Sequence, residues 1–437
     1  MIVLHNATVI DGTGAEPKSK TSLVIDGETI ADVTATPPRA DGERSYDLTG
    51  LTLLPGLIDA HAHLGLVYPL AAEGDPGIIS PAEIAALTFE NCGLCLEAGF
   101  TTVRDMCGVD GGVVRAIASG AVRGPRVFPS GPAIVQTGGH GHITGPFCFQ
   151  DHHLEIPGLV QLIAVCDGAD AVRHQARLNF RRGATQLKVF VSGGVVSTTD
   201  RLEDTQLTVD ELKAAVHEAR ARETYVSGHA HNVRSIRNGI EAGLACFEHG
   251  TQLDEATAAL MAKAGAALDP TLAVTHLMAT HWKQWGLEEY VVPRIQDCES
   301  RMTQAVRIAE AAGVLMGSGS DLLGAKQNRR GLEIVLKAAI IGPMRAIQCA
   351  TQGNARIMRQ DHRLGTLAQG KLADCIAVKG DPLADPSVLD DLSHVVLVIK
   401  GGEVVKDLIS GRPHNGRSGQ TVKDAAQSGV DVVGDRR

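Results

Sequence analysis

From Leu51 onward the chain alternates short apolar runs with amphipathic stretches. The runs are "LTLLPGLIDAHAH", "FTTVRDM", "PRVFPSGPAI", "TQLKVFVSGG", "TYVSGHAH", "ACFEHG", "GAALDPTL" and "GVLMGSGSDL". Each has strand length, and each is followed by a helical pattern. The helical stretches carry ordinary boundary signals. "IAALTFENCGLCLEAG" stops at Gly99, suited to a left-handed helix cap, and "TVDELKAAVHEARA" opens with Thr208 and Glu211 at capping-box spacing. Eight strand-helix units in about 310 residues predict an α/β fold, a (β/α)8 TIM barrel. A doubly wound open sheet is the rival.

The pattern changes on either side of this barrel, which is expected over residues 55–365. Residues 1–54 and 366–409 read as short strands ("MIVLHNATVID", "TSLVIDGETIADV", "ADCIAVKG", "HVVLVIKGGEVV") separated by turn signals such as "DGE" and "GGE". Neither piece alone makes a stable core. The two are therefore expected to combine into one small β-sandwich domain formed from both chain termini. Residues 410–437 are polar and Gly-rich, a C-terminal tail that is either disordered or laid on a neighbour.

Composition removes several function classes. With 41 basic and 50 acidic residues, the net charge of -9 is mild for 437 residues, and no basic run suggests a nucleic-acid partner. The nine cysteines are scattered, Cys92 and Cys95 being the one close pair, which argues against a disulfide framework or a thiolate zinc site. That usage fits a reducing, cytoplasmic setting. No apolar run reaches the roughly 18 residues of a membrane span, and the first residues form an alternating strand instead of a signal peptide. The expected partner is a small molecule, the expected assembly a homo-oligomer.

Histidines carry the candidate chemistry. In "DAHAH" His61 and His63 are two apart, so on a strand both imidazoles project from one face and can grip one ion. Two such histidines are often merely structural. The other candidates decide the matter: His229 in "GHAH", His249 in "FEHG" and Asp321 in "GSD" all fall at C-terminal ends of predicted strands. In a barrel those ends converge on one mouth, where active sites sit. Imidazole nitrogens and carboxylate oxygens suit zinc and related divalent metals.

Lys188, in "QLKVFVSGG", is a cation inside an apolar run headed for that same mouth. One reading is an ammonium paired with an acidic neighbour. The other is a neutral amine: desolvation near positive charge lowers a lysine pKa, and a neutral amine adds carbon dioxide. The carbamate so formed is a carboxylate long enough to lie between two metal ions. Two divalent ions against a carbamate, Asp321 and a hydroxide leave the site near neutral.

The ordered set "PGLIDAHAH", "LKVFVSGG", "GHAH", "FEHG" and "GSD", with sandwich strands at both ends, resembles the amidohydrolase superfamily, in particular its imidazolonepropionase-like, prolidase-like branch that includes ochratoxinase-like enzymes. The resemblance covers residues 1 to 409. It implies that His61, His63 and Asp321 bind the more buried of two divalent ions, expected to be zinc, that His229 and His249 bind the second, and that carboxylated Lys188 bridges them. It also implies substrate contacts from His231, where related peptidases often have tyrosine, and from His140 and His142 in "TGGHGHITGPF". Hydroxide would attack an amide carbonyl, Asp321 would carry the proton to the departing nitrogen, and His140 or His231 would stabilise the oxyanion.

Three functions remain to compare: a dinuclear amide or peptide hydrolase, a mononuclear deaminase or cyclic imidazolone hydrolase, and a barrel without catalysis. The mononuclear reading lacks the acid that commonly follows the strand-five histidine, since "HAHNVRS" has none, and it gives Lys188 no task. The non-catalytic reading leaves six intact ligand positions unexplained. The loops expected to wall the pocket, "LGLVYPL", "GPFCFQ" and "TLAVTHLM", are mostly apolar and point to a substrate with a hydrophobic part.

Overall fold

Both ends of the chain build one sheet. Its first strands are β1 (Ile2–Val9), β2 (Lys18–Asp26), β3 (Thr29–Thr34), β4 (Ser45–Asp47) and β5 (Leu51–Pro55). The computed structural model describes residues 1–37, 45–67, 79–142, 155–197 and 200–410. The expected tail from 411 onward and the "GPFCFQ" loop lie outside the described residues.

The central region runs through β6 (Leu57–Ala62), β7 (Phe100–Asp105), β8 (Gly108–Val109), β9 (Arg126–Pro129), β10 (Ala133–Val135), β11 (Glu155–Ile156), β12 (Val160–Gln161), β13 (Ile163–Val165), β14 (Leu187–Phe190), β15 (Val226–Ala230), β16 (Cys246–His249), β17 (Ala267–Asp269) and β18 (Leu315–Met316). Helices alternate with these strands: α1 (Pro81–Glu97), α2 (Gly111–Ala118), α3 (Ala169–Arg181), α4 (Val209–Arg220), α5 (Val233–Ala242), α6 (Glu255–Ala264), α7 (Leu272–His281), α8 (Val292–Ala311) and α9 (Leu332–Ile341). The boundary signals act as their chemistry dictates. Thr208 and Glu211 form the capping box of α4, Ser80 and Glu83 form another on α1, and Gly99 takes φ +83° after α1.

The parallel strands form two arcs, β6-β7-β9 and β13-β10-β14-β15-β16-β17-β18. The ladders do not run around a complete ring. One gap falls inside the predicted third strand, where Pro129, Gly131 and Pro132 split it into β9 and β10; proline gives the ladder no donor. The other falls after β18, which stops at Met316 before the "GSGS" turn. Backbone bonds span these gaps: Thr185 N–H to Pro129 O at 2.8 Å at the first, and Ala60 N–H to Ser318 O at 3.2 Å with Asp321 N–H to His61 O at 2.8 Å at the second. β8, β11 and β12 make a separate small sheet.

β19 (Cys375–Lys379), β20 (Val395–Lys400) and β21 (Glu403–Asp407) complete the end sheet in the order β21-β20-β19-β5-β1-β2-β3, with β4 beside β1. The join is antiparallel, Pro55 opposite Cys375 through Leu51 opposite Lys379. One eight-stranded sheet thus takes the place of two separate ones. Period-two alternation gives it two buried faces. Leu53, Cys375 and Leu397 share the sheet's own core with Leu4 and Leu23, while Leu54, Ile376 and Val398 pack with Leu96 and Phe100 of the central region. The described cysteines are free and buried, and no described helix is long and apolar enough to cross a membrane.

Candidate metal centre

The strand ends bring the chemistry together. His61 is the fifth residue of β6 and His63 lies one past its end; Lys188 is in β14, His229 in β15, and His249 closes β16. Asp321 comes five positions after β18 ends, held by a bond from its N–H to His61 O at 2.8 Å. In β16, Cys246 and Glu248 face inward, where Arg104 bonds to both, and Phe247 packs outward with Ile236 and Leu268. Strict alternation would send His249 outward after Phe247. Its φ of +69° turns it back to the mouth, and Asp321 has φ +55°. Each left-handed non-glycine residue costs of order 1–3 kcal/mol and persists where its surroundings fix it.

The resulting cluster is dense. Asp321 Oδ1 lies 2.9 Å from His63 Nε2 and 3.6 Å from His61 Nε2, and Oδ2 lies 3.8 Å from His249 Nδ1. Ring centroids are 5.1 Å apart for His61 and His63, 5.2 Å for His61 and His249, and 4.6 Å for His229 and His249. Among the described residues, donor atoms of His61, His249 and Asp321 lie within 4.8 Å of one another, as do those of His229, His231 and His249. His249 belongs to both groups.

Each candidate histidine ligand has one ring nitrogen occupied. His61 Nδ1 meets Glu248 Oε2 at 2.6 Å, His63 Nδ1 meets Cys107 O at 3.0 Å, His249 Nδ1 meets Thr271 Oγ1 at 2.7 Å, and His229 Nε2 meets Gly193 O at 3.2 Å. Such partners fix the tautomer and aim the remaining lone pair, the arrangement found around metal-ligating histidines. The donor set therefore fits divalent metal ions.

Behind the cluster is a layer that sequence reasoning missed. Arg104 Nη2 donates to Glu248 Oε1 at 2.9 Å and to Asp269 Oδ2 at 3.1 Å, its Nε donates to Ala60 O, and Ser227 Oγ donates to Glu248. Nearby, Asp59 receives Ser320 N–H at 2.9 Å, Ser320 Oγ–H at 2.6 Å and the Arg330 guanidinium. The signal was present in charged residues standing in apolar runs, Arg104 in "FTTVRDM" and Glu248 in "FEHG".

Burial sets the electrostatics. It pushes the pKa values of His229 and His249 well below the usual imidazole range, with neighbouring imidazoles and Lys188 adding to the effect. Burial also raises carboxylates, but for Glu248 the charges of Arg104 and His61 outweigh it, and for Asp321 those of His61, His63 and Lys188 do; both stay ionised. For Lys188 burial lowers the pKa despite attraction from Glu248 and Asp321. Its side chain is 1% exposed and forms no ion pair or hydrogen bond among the described residues; Nζ lies 5.6 Å from the Phe190 ring centroid.

The remaining sequence candidates are arranged unequally. His140 stacks on His229 at 4.5 Å, closely backed by Gly194, and its Nδ1 has no hydrogen-bond partner among the described residues. His231 stacks on His249 at 4.9 Å and its Nδ1 meets Thr251 Oγ1 at 2.6 Å; burial first, then His140, hold it down to about 3. His142 Nδ1 accepts Gly138 N–H at 3.0 Å, so that lone pair is used inside its own loop.

Comparison with known proteins identifies the family. The sequence model of the Amidohydrolase family matches residues 52–405. The chain is similar to ochratoxinase of Aspergillus niger, 31% identical over 421 residues that cover 92% of this chain and 86% of that protein. It is similar to a solved prolidase complexed with N-methylphosphonate-L-proline, with TM-score 0.86, 35% identity, and coverage of 93% of this chain and 99% of that one. A solved Xaa-Pro dipeptidase with bound methionine gives TM-score 0.83 and 32% identity, covering 93% and 99% of the two chains.

Proposed function

The chain belongs to the amidohydrolase family and is a hydrolase acting on amide bonds, and from that premise we propose a dinuclear-metal enzyme that cleaves the amide of a small substrate ending in an amino acid. The substrate class is a dipeptide, an N-acyl amino acid, or an amino-acid-conjugated toxin such as ochratoxin A. One observation carries the reading: among the described residues two donor groups share His249, next to a buried lysine without an ionic partner. β6, β7, the split pair β9 and β10, and β14 to β18 are taken as the eight strands of one barrel whose mouth is this cluster, with β13 beside β10.

His61, His63 and Asp321 would hold one ion, His229 and His249 the other, with carboxylated Lys188 between; zinc suits this nitrogen and oxygen set. When bound, the ions supply Lewis acidity toward a carbonyl oxygen and acidify water. The residues supply the rest. Asp321 takes the proton of the attacking water as the new C–O bond forms, and gives it to the nitrogen as the C–N bond breaks. Its carboxylate lies 2.9 Å from His63 Nε2 and 3.6 Å from His61 Nε2, which supports a place at the reacting water. His140 donates to the oxygen that gains charge, supported by its stacking on His229, while its Nδ1 faces Asp200 Oδ2 at 3.9 Å. His231 contacts the substrate through the nitrogen not used by Thr251, and His142 contributes from the loop edge.

The test is a screen of N-acyl amino acids and dipeptides with zinc-loaded protein, alongside elemental analysis. Close to two ions per chain and chelator-sensitive hydrolysis are expected. One ion per chain at full activity would move the reading to the mononuclear class.

A further inference from the structure

Arg294 stands in the first turn of α8, half-buried, and Nη2 donates to Gly194 O at 2.7 Å. Gly194 touches the imidazole of His140: a Cβ built there would lie 2.1 Å from Cε1. One turn along the same helix face, Cys298 Sγ is 3.6 Å from Thr251 Oγ1, the hydroxyl that meets His231 Nδ1. α8 thus presents a guanidinium between the His140 loop and the His231 side of the site. Arg294 has no carboxylate partner among the described residues. Its charge disfavours protonation of both His140 and His231. Beside it is an apolar cluster that includes Val195, Val274, Met278, Trp285, Ile295 and Leu323.

We infer that Arg294 receives the α-carboxylate of the substrate's C-terminal residue, while the apolar cluster takes that residue's side chain. The assignment rests on the amide-hydrolase reading above. One N–H is spent on Gly194, which holds the planar fork in place; the others remain for two parallel bonds to a carboxylate, a geometry lysine cannot reproduce. His231, expected from the sequence to contact substrate, is the other candidate for this role. With Nδ1 committed to Thr251, His231 offers a single nitrogen, whereas Arg294 offers charge and a fork. The enzyme therefore selects free acids over neutral amides, and prefers an apolar C-terminal residue.

The experiment compares Ala-Phe with Ala-Phe-amide as substrates, and L-phenylalanine with L-phenylalaninamide as calorimetric probes, on the zinc-loaded full chain. Arg294→Gln should lose about 10- to 100-fold in kcat/KM on the acid, mostly through KM, the range expected for a charged hydrogen bond. Its loss on the amide should be at least about tenfold smaller, and Arg294→Lys should recover part of the difference. Equal losses on acid and amide, or none on the acid, would overturn the assignment. Arg294-dependent binding of phenylalanine without turnover of either dipeptide would support it while removing the amide-hydrolase reading. Turnover of both dipeptides with unchanged selectivity in Arg294→Gln would remove it and leave that reading standing.

Discussion

Two buried cations face opposite fates in this molecule. Arg104 is 0% exposed and matched on every side, by Glu248, Asp269 and the Ala60 carbonyl. Lys188, 1% exposed, has a ring nearby and no ionic partner among the described residues. Burying a charge is unfavourable unless it is paired and hydrogen-bonded. Arg104 itself meets that condition and helps to fix the backing of the mouth. The mouth does not meet it with protein atoms alone, and its left-handed His249 and Asp321 add strain. Arg104 is paired within the support, and Lys188 is left without such a pair at the working face among the described residues.

The sharpest way to break this contrast is to exchange its costs. Arg104→Met leaves Glu248 and Asp269 without their cation and should lower the unfolding free energy by about 3–5 kcal/mol, read by denaturant titration. A near-neutral result would mean the backing layer is not held by that pair of contacts. Lys188→Ala should do the reverse: cooperative unfolding persists, while bound metal and most turnover disappear. Added acetate or propionate should restore part of the activity, and Lys188→Arg should stay inactive because it cannot be carboxylated. A fully active Lys188→Arg enzyme would return Lys188 to a structural role.

A smaller loss is expected within the mouth itself. Asp321→Asn should cut turnover roughly 10²-fold or more, the usual cost of losing a general acid-base, in steady-state assays. Near-normal rates would assign the proton to another group. The mildest effect lies in the backing region, at Glu333. Its carboxyl is raised to about 7 by burial, against the opposing pull of Lys337 3.1 Å away. A raised carboxyl pKa means the folded state binds the proton more tightly. Glu333 therefore contributes stability that is fully present below its unfolded pKa near 4.5 and is lost as pH rises through about 7. Glu333→Gln should flatten the stability profile between those values; an unchanged slope would assign the pH dependence elsewhere.

How much of this was legible follows from the same contrast. The mouth could be read because its residues are chemically conspicuous and occur at strand ends: His61, His63, His229, His249 and Asp321 each stand where an apolar run stops. The backing layer could not. Arg104 and Glu248 are inside runs, and a charge there is informative only once its partner on another strand is known. Asp321 was expected to end its strand, yet β18 stops at Met316, because Gly317 and Gly319 carry the chain tightly past Asp269 and His61 instead of continuing the ladder. Arg294 was illegible for a further reason. It lies on a helix, away from the strand-end rule, and comes to the site only through the Gly194 carbonyl.

The join between β5 and β19 bears on how the molecule is made. During synthesis, Leu51–Pro55 emerges long before its ladder partner Cys375–Lys379 exists. Until then Leu54, with Leu96 and Phe100, has no Ile376 or Val398 to cover it. An interrupted chain ending before β19 would present an open strand edge over an apolar surface, a template for sticking to other chains. The strands from β19 onward thus close an edge and cover an apolar surface that the earlier part of the chain leaves open.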